Sequence, residues 1–141
     1  MKKILMATDG SEHSEKTIAE TIRLAGSMEG EVTVITVMEE APNLAYIVPS
    51  DVITQIKVNY EQSSKTILTR AEQKFKEKGI EVKTILVSGH PADEICRVAK
   101  EGNFDIVVLG SRGMSGIKEL FLGSVSNKVA HCAKPSVYIV K

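Results

Sequence analysis

Residues 104–126 read Phe-Asp-Ile-Val-Val-Leu-Gly-Ser-Arg-Gly-Met-Ser-Gly-Ile-Lys-Glu-Leu-Phe-Leu-Gly-Ser-Val-Ser. Phe104 to Leu109 is an apolar run rich in branched residues, the pattern of a strand in a parallel sheet covered on both faces. It ends at Gly110. Glycines at Gly110 and Gly113 tolerate positive φ and, lacking a Cβ, let a ligand approach the backbone closely. Ten residues beyond Gly113, Gly123 and Ser124 open a helical pattern with Val125, Val129 and Cys132 on one face. A helix N-terminus offers unpaired N–H groups and partial positive charge, both suited to phosphate oxygens, and Ser124 and Ser126 add hydroxyl donors. The plainer alternative is that the glycines only make turns and Ser124 only caps a helix. Two glycine elements, one after a buried strand and one opening a helix, favour a phosphate site. Arg112, between the first two glycines, would lie close to a phosphate; otherwise it is a solvated loop arginine. No Gly-x-x-x-x-Gly-Lys-Ser/Thr and no Gly-x-Gly-x-x-Gly occurs in the chain, which disfavours two common nucleotide folds.

The 141 residues suit one domain, 1–141, with a sizeable core. Eighteen basic and 18 acidic residues cancel, so no global charge draws the molecule to nucleic acid or to an anionic membrane. Any anion site is local. Met1-Lys-Lys is followed by an apolar run of only strand length, and no stretch approaches a membrane span, so the expectation is a soluble cytoplasmic protein. The two cysteines, Cys96 and Cys132, suggest neither a disulfide framework nor a metal pattern. Cys96 lines up with Ala92, Ile95 and Ala99 as a core position rather than a catalytic thiol.

Strand and helix patterns alternate along the chain. Lys3 to Thr8 predicts a first strand closing at Asp9-Gly10, and Ser11 a cap for a helix to about Ala25, with Ile18, Ile22 and Ala25 inward and Gly26 and Gly30 ending it. Glu31 to Val37 is a second strand. After a proline-bounded loop, 41–49, Ser50-Asp51 opens a long helix whose apolar face runs Ile53, Ile56, Tyr60, Ser63, Ile67, Ala71 and Phe75, with room for a break near Asn59 and a C-cap at Gly79. Ile80 to Val87 is a third strand, and Gly89-His90-Pro91 turns into a short helix with Pro91 in its first turn. Gly102-Asn103 precedes the fourth strand, and Pro135 precedes a fifth, Val137 to Val140. This order predicts one α/β domain with a parallel, doubly wound sheet. In such sheets ligands bind beyond the carboxyl ends of the strands where the strand order reverses.

The spacing Gly, two residues, Gly, nine residues, Gly-Ser resembles the nucleotide-binding signature of the universal stress protein family, in its ATP-binding branch. Ala7-Thr8-Asp9 followed by Gly10-Ser11, Val37 at the end of strand two, Gly89 before Pro91, and a Lys-Pro-Ser-Val segment before the last strand stand at matching positions over essentially the whole chain. The resemblance implies a Rossmann-like, adenine nucleotide alpha hydrolase-like fold with strand order 3-2-1-4-5. That order would make strands one and four neighbours and open the crevice between Asp9 and Gly110. It also implies that Ala7, Thr8, Asp9 and Val37 hold adenine and ribose, and that Gly110, Arg112, Gly113, Gly123, Ser124, Val125 and Ser126 line ribose and phosphates. Met38, Gly89 and Ser111 would edge the pocket. Asp9, an acceptor-only group, suits a ribose hydroxyl or adenine amino group, or else caps a helix beside Gly10. Val37 would pack on the purine.

The implied function is an ATP-binding stress protein, with Mg²⁺ on the phosphates, acting as a nucleotide-dependent switch or sensor. No catalytic triad or water-activating carboxylate accompanies the loop, so no catalytic residue is assigned. A slow ATPase in the same pocket, with Asp9 as its polar catalyst, and a nucleotide-independent interaction protein remain the alternatives. His13, His90 and His131 show no metal-ligand spacing, and Glu39-Glu40 reads as a solvated run rather than a magnesium pair. His90 either edges the crevice or sits in water. The Val137–Val140 strand would be an open sheet edge, and a homodimer through it is what the resemblance suggests. The apolar loop Asn43 to Pro49 would pack on the dimer or the long helix, or meet a partner.

Overall fold

A computed structural model describes residues 1–39, 47–112 and 122–141. Among the described residues nine elements alternate in order: β1 (Lys3–Ala7), α1 (Ser14–Met28), β2 (Glu31–Met38), α2 (Ser50–Glu77), β3 (Val82–Ser88), α3 (Pro91–Glu101), β4 (Ile106–Gly110), α4 (Ser124–Cys132) and β5 (Ser136–Val140). The strands form one five-stranded, all-parallel sheet in the order β3-β2-β1-β4-β5, the order the resemblance implied. Leu5 stands between Thr33 on β2 and Val107 on β4, which fixes the register at the centre.

Alternation along each strand divides the core into two layers. Ile4, Met6, Val32, Val34 and Val108 face α1 and α2, where Ile18, Leu68, Ala71 and Phe75 meet them. Leu5, Ile35, Val107 and Leu109 face α3 and α4, against Ile95, Val98, Ala99 and Val129. Phe75 is fully buried, and burying a side chain of that size contributes about 1.5–3 kcal/mol.

Several boundaries differ from the sequence expectations. Helix α1 begins at Ser14 rather than after Ser11: a separate turn precedes it, in which the Ser11 N–H donates to the Asp9 carboxylate at 2.9 Å and the Ser11 carbonyl accepts from the Ser14 N–H and hydroxyl. The helix runs through Gly26 and stops where Glu29 turns left-handed, at φ 50°. Helix α2 is unbroken over 28 residues and passes Asn59 without interruption. At 1.5 Å per residue it spans about 42 Å, whereas a strand of eight residues spans about 27 Å. The helix therefore overruns the sheet. Ile56, Tyr60 and Ser63, expected on the apolar face, are exposed, and Ser64 and Leu68 are buried in their stead. Its end follows expectation: Gly79, at φ 75°, donates to the Lys76 carbonyl while Ile80 donates to that of Phe75, which satisfies the last turn.

The largest correction concerns the cysteines. Cys96 on α3 and Cys132 at the end of α4 form a disulfide, with Cα atoms 6.1 Å apart and a sequence separation of 36. Helical spacing put each cysteine on an apolar face but carried no information on how close α3 and α4 lie.

Candidate functional site

The order 3-2-1-4-5 reverses between β1 and β4, with α1 and α2 on one face and α3 and α4 on the other. The carboxyl ends of those two strands therefore flank a crevice that no helix crosses among the described residues. At the end of β1, Ala7 pairs with Ile35, and Thr8 donates its N–H to the Ile35 carbonyl at 3.0 Å. The buried Thr36 hydroxyl donates to the Thr8 carbonyl at 2.9 Å, so β2 braces this end from beneath. Asp9 follows, exposed. It is not the cap of α1; one carboxylate oxygen closes a local turn at Ser11, and the second oxygen leaves it an acceptor at the crevice rim. Gly10 stands at φ 77°, and a Cβ there would lie 2.6 Å from Cγ1 of Ile67 on α2. The turn thus needs glycine both for its backbone conformation and for the close approach of α2.

On the other side, Gly110 pairs with Val140, and the Ser111 N–H donates to the Val140 carbonyl at 2.8 Å. The Ser111 carbonyl then accepts the Gly123 N–H at 2.8 Å. This bond ties the end of β4 to the start of α4, so Gly110, Ser111 and Arg112 come together with Gly123 and Ser124. Gly123 is buried, and a Cβ on it would stand 3.2 Å from the Ser111 oxygen. Gly123 is the N-cap of α4 and offers no side-chain cap; its carbonyl accepts the first helical bond, from Asn127, at 3.0 Å. The N–H groups of Ser124, Val125 and Ser126 precede that bond and have no carbonyl within the helix to take. Ser124 is exposed there, and Val125 half-buried. The Ser126 hydroxyl is buried and donates to the Gly123 carbonyl at 3.1 Å, with the Ser111 carbonyl at 3.4 Å, which stiffens the junction from inside. Gly113, the remaining signature glycine, lies outside the described residues, as do Glu40 and most of the 41–49 loop.

The rim is completed by β2 and β3. Val37 packs partly buried against the α3–α4 layer, Met38 pairs with Ser88, and Gly89, at φ 144°, donates its N–H to the Met38 carbonyl at 2.9 Å. His90 is exposed at the start of α3, and His131 contacts the Asn127 carbonyl on its own helix. Among the described residues no three His, Cys, Asp or Glu side chains group as metal ligands. No helix among them is long and apolar enough to cross a membrane. Sequence reading missed two supporting residues, Thr36 and Ile67. Each looks like an ordinary strand or helix position until the turn it holds is seen.

A recess of about 160 Å³ adjoins Ser111 and Arg112, bounded by His13, Lys16 and Lys141. The broader groove, about 810 Å³ and open, lies at the opposite, amino ends of the strands, beside Thr33, Ile85 and Phe104. Its charged groups are already paired, while Thr33 and Thr84 also line it. The Lys3 N–H donates to Asp105 at 2.8 Å, the Asp105 N–H returns to the Lys3 carbonyl at 2.8 Å, and the Lys3 ammonium donates to the Gly102 carbonyl over the Phe104 ring. Lys83 pairs with Glu31, and its hydrogen bond and charge hold the Glu31 carboxyl below the usual range. Volume alone would select this groove, but the free backbone donors are at the other end.

A model of the universal stress protein family matches residues 1–141. Universal stress protein YxiE of Bacillus subtilis is 38% identical over 146 aligned residues, covering 99% of this chain and 98% of that protein. The solved structure of MJ0577, a protein of Methanocaldococcus jannaschii, superposes with a TM-score of 0.84 at 28% identity, over 99% of this chain and 95% of its own. A universal stress protein solved in complex with cAMP superposes with a TM-score of 0.69 at 26% identity, over 99% and 96% of the two chains.

Proposed function

The chain belongs to the universal stress protein family, and from that premise we propose that it binds an adenine nucleotide, ATP in the first instance, at the carboxyl ends of β1 and β4, and acts as a cytoplasmic nucleotide-dependent switch. The observation that carries this reading is the Gly123-to-Ser111 hydrogen bond, which brings the uncapped start of α4 against the end of β4. Phosphate oxygens would accept from the N–H groups of Ser124, Val125 and Ser126, with the Ser124 hydroxyl beside them and Arg112 and Gly113 closing the loop. Asp9 would accept from the ribose hydroxyls or the adenine amino group, and Ala7, Thr8 and Val37 would bound the base, with Met38, Gly89 and Ser111 at the rim. A family neighbour in complex with cAMP supports an adenine ligand. Mg²⁺ fits as a companion of the phosphates, to whose charge it would add a counter-ion; this chain's own residues would supply N–H and hydroxyl donors to the nucleotide.

Protein purified without added nucleotide, then denatured, should release an adenine nucleotide on chromatography, and emptied protein should bind ATP with Mg²⁺ at micromolar concentration. Protein that is empty and ignores ATP overturns the reading. The same incubation separates a switch from a slow hydrolase: ADP that accumulates with time and disappears in Asp9→Ala would make the pocket catalytic.

We further propose a homodimer through β5. Ser136–Val140 pairs with β4 on one side and carries no charged side chain, whereas the other edge strand, β3, carries Lys83. Charged side chains discourage strand pairing at an edge. Sedimentation should show a dimer that a Tyr138→Lys or Ile139→Lys substitution reduces to monomer; a wild-type monomer would contradict it.

A further inference from the structure

Helix α4 has nine residues and little to hold it. Val129 is fully buried and Ser126 nearly so, Val125 is half-buried, and Ser124, Asn127, Lys128, Ala130, His131 and Cys132 are exposed. A helix of this length is not stable by itself and depends on tertiary contacts. Its start is tied to Ser111 through Gly123, and its last residue is tied to α3 by the Cys96–Cys132 bond. The sulfur of Cys132 also lies 3.8 Å from the carbonyl oxygen of Ala92, so the end of α4 sits on the first turn of α3. Cys132 is an exposed residue and Cys96 a partly buried one, so Cys132 is the more accessible member of the pair.

We propose that Cys96 and Cys132 are a reversible dithiol–disulfide couple, exchanged by small thiols and their disulfides, whose oxidised form fixes α4 and thereby tightens nucleotide binding at its N-terminus. The inference rests on the nucleotide reading above for its effect on affinity, and on the helix packing alone for its effect on α4. In the reductive direction a small thiolate attacks the Cys132 sulfur, the S–S bond breaks, and Cys96 leaves as thiolate and takes up a proton. A second small thiolate attacks its own kind in the mixed disulfide and frees Cys132, which is protonated in turn. The balance is one protein disulfide and two small thiols giving one protein dithiol and one small disulfide. The oxidative direction is the reverse, with the small disulfide as oxidant. Loss of the tether lets the end of α4 leave α3, and the three N–H groups at its start lose their fixed aim at the ligand. A bond between helices adjacent to a ligand site, in a chain with only two cysteines, is of the kind that reports redox state in reducing compartments.

The test equilibrates the full chain in glutathione buffers of graded ratio, counts free thiols by alkylation and mass, and titrates each state with ATP and Mg²⁺. Two thiols should appear at the reduced ratio and none at the oxidised ratio, reversibly. The oxidised protein should bind ATP about fivefold or more tightly than the reduced one, the range usual for coupled sites. The Cys96→Ala, Cys132→Ala double variant should match reduced wild type in both buffers, and Cys132→Ser, at an exposed position, should do the same where the double variant folds poorly. Equal affinity in the two states overturns the inference, as do thiols that stay free in oxidised buffer. Should ATP bind in neither state, the nucleotide reading fails and amide exchange judges the tether: faster exchange over 124–132 on reduction supports it, and unchanged exchange overturns it.

Discussion

The two ends of the parallel sheet solve the same problem differently. At the amino ends charged side chains satisfy one another and the backbone: Lys3 with Asp105 and Gly102, Lys83 with Glu31. At the carboxyl ends the stitches are backbone bonds and hydroxyls, Gly123 to Ser111, Ser111 to Val140, Thr36 to Thr8, and glycines stand where the chain passes close to a neighbour. The amino end has the larger groove, but its charged groups Lys3, Glu31 and Lys83 are paired. The carboxyl end is smaller and keeps helix-start N–H groups and an aspartate oxygen available. The proposed site follows those donors rather than the volume.

Perturbing the stitches should therefore cost more than perturbing the charges. The largest effect on stability should come from removing the covalent tie on the site's side of the sheet. Cross-linking residues 36 apart restrains the unfolded chain by about 3–4 kcal/mol in the chain-entropy account, so the double cysteine-to-alanine variant should lose up to that much in urea unfolding without reductant. Next, Gly10→Val forces a β-branched residue into φ 77° and against Ile67, for a loss of about 2–3 kcal/mol in the same measurement, with weaker ATP binding because the Asp9 turn shifts. Thr36→Val, nearly isosteric, leaves the Thr8 carbonyl without its hydroxyl donor and should cost about 1–2 kcal/mol.

Smallest is Lys83→Met at the amino end. Stability at neutral pH should stay within measurement error, because the ion pair is solvent-exposed. The readout is the Glu31 carboxyl, whose titration by NMR should move up toward the ordinary carboxylate range once the Lys83 hydrogen bond and charge are gone. Its pKa is lowered in the folded protein, so the pair's contribution is present above the unfolded value and is lost as pH falls through the folded one. The variant should show less of that acid-side loss, with Lys3 still lowering the carboxyl.

Much of this was legible in the sequence, for physical reasons that also explain the rest. The apolar runs of β1 and β4 and the glycines after them follow from burial on both faces and from close approach, which are local requirements. The sequence pattern carried the alternation of elements, and the family resemblance carried the strand order. Local rules failed where a side chain had a choice of partner. Ser11 looks like a helix cap, yet it sits in a turn between Asp9 and Ser14, and α1 starts at Ser14. Gly26 looks like a stop, yet α1 passes through it. The face of α2 was read as uniform along its length, but only its second half reaches the sheet. Cys96 and Cys132 meet because α3 and α4 pack together, and nothing in either helix's own pattern encodes that approach.

Backbone amide shifts followed by ¹⁵N NMR during an ATP titration with Mg²⁺ test the central claim most directly, because both ends of the sheet are watched in one experiment. The account predicts saturable shifts at Gly10, Ser111 and Gly123 through Ser126, with Lys3, Lys83 and Phe104 unmoved. Shifts clustered around Lys3, Lys83 and Phe104 instead would put the ligand in the amino-end groove and contradict it.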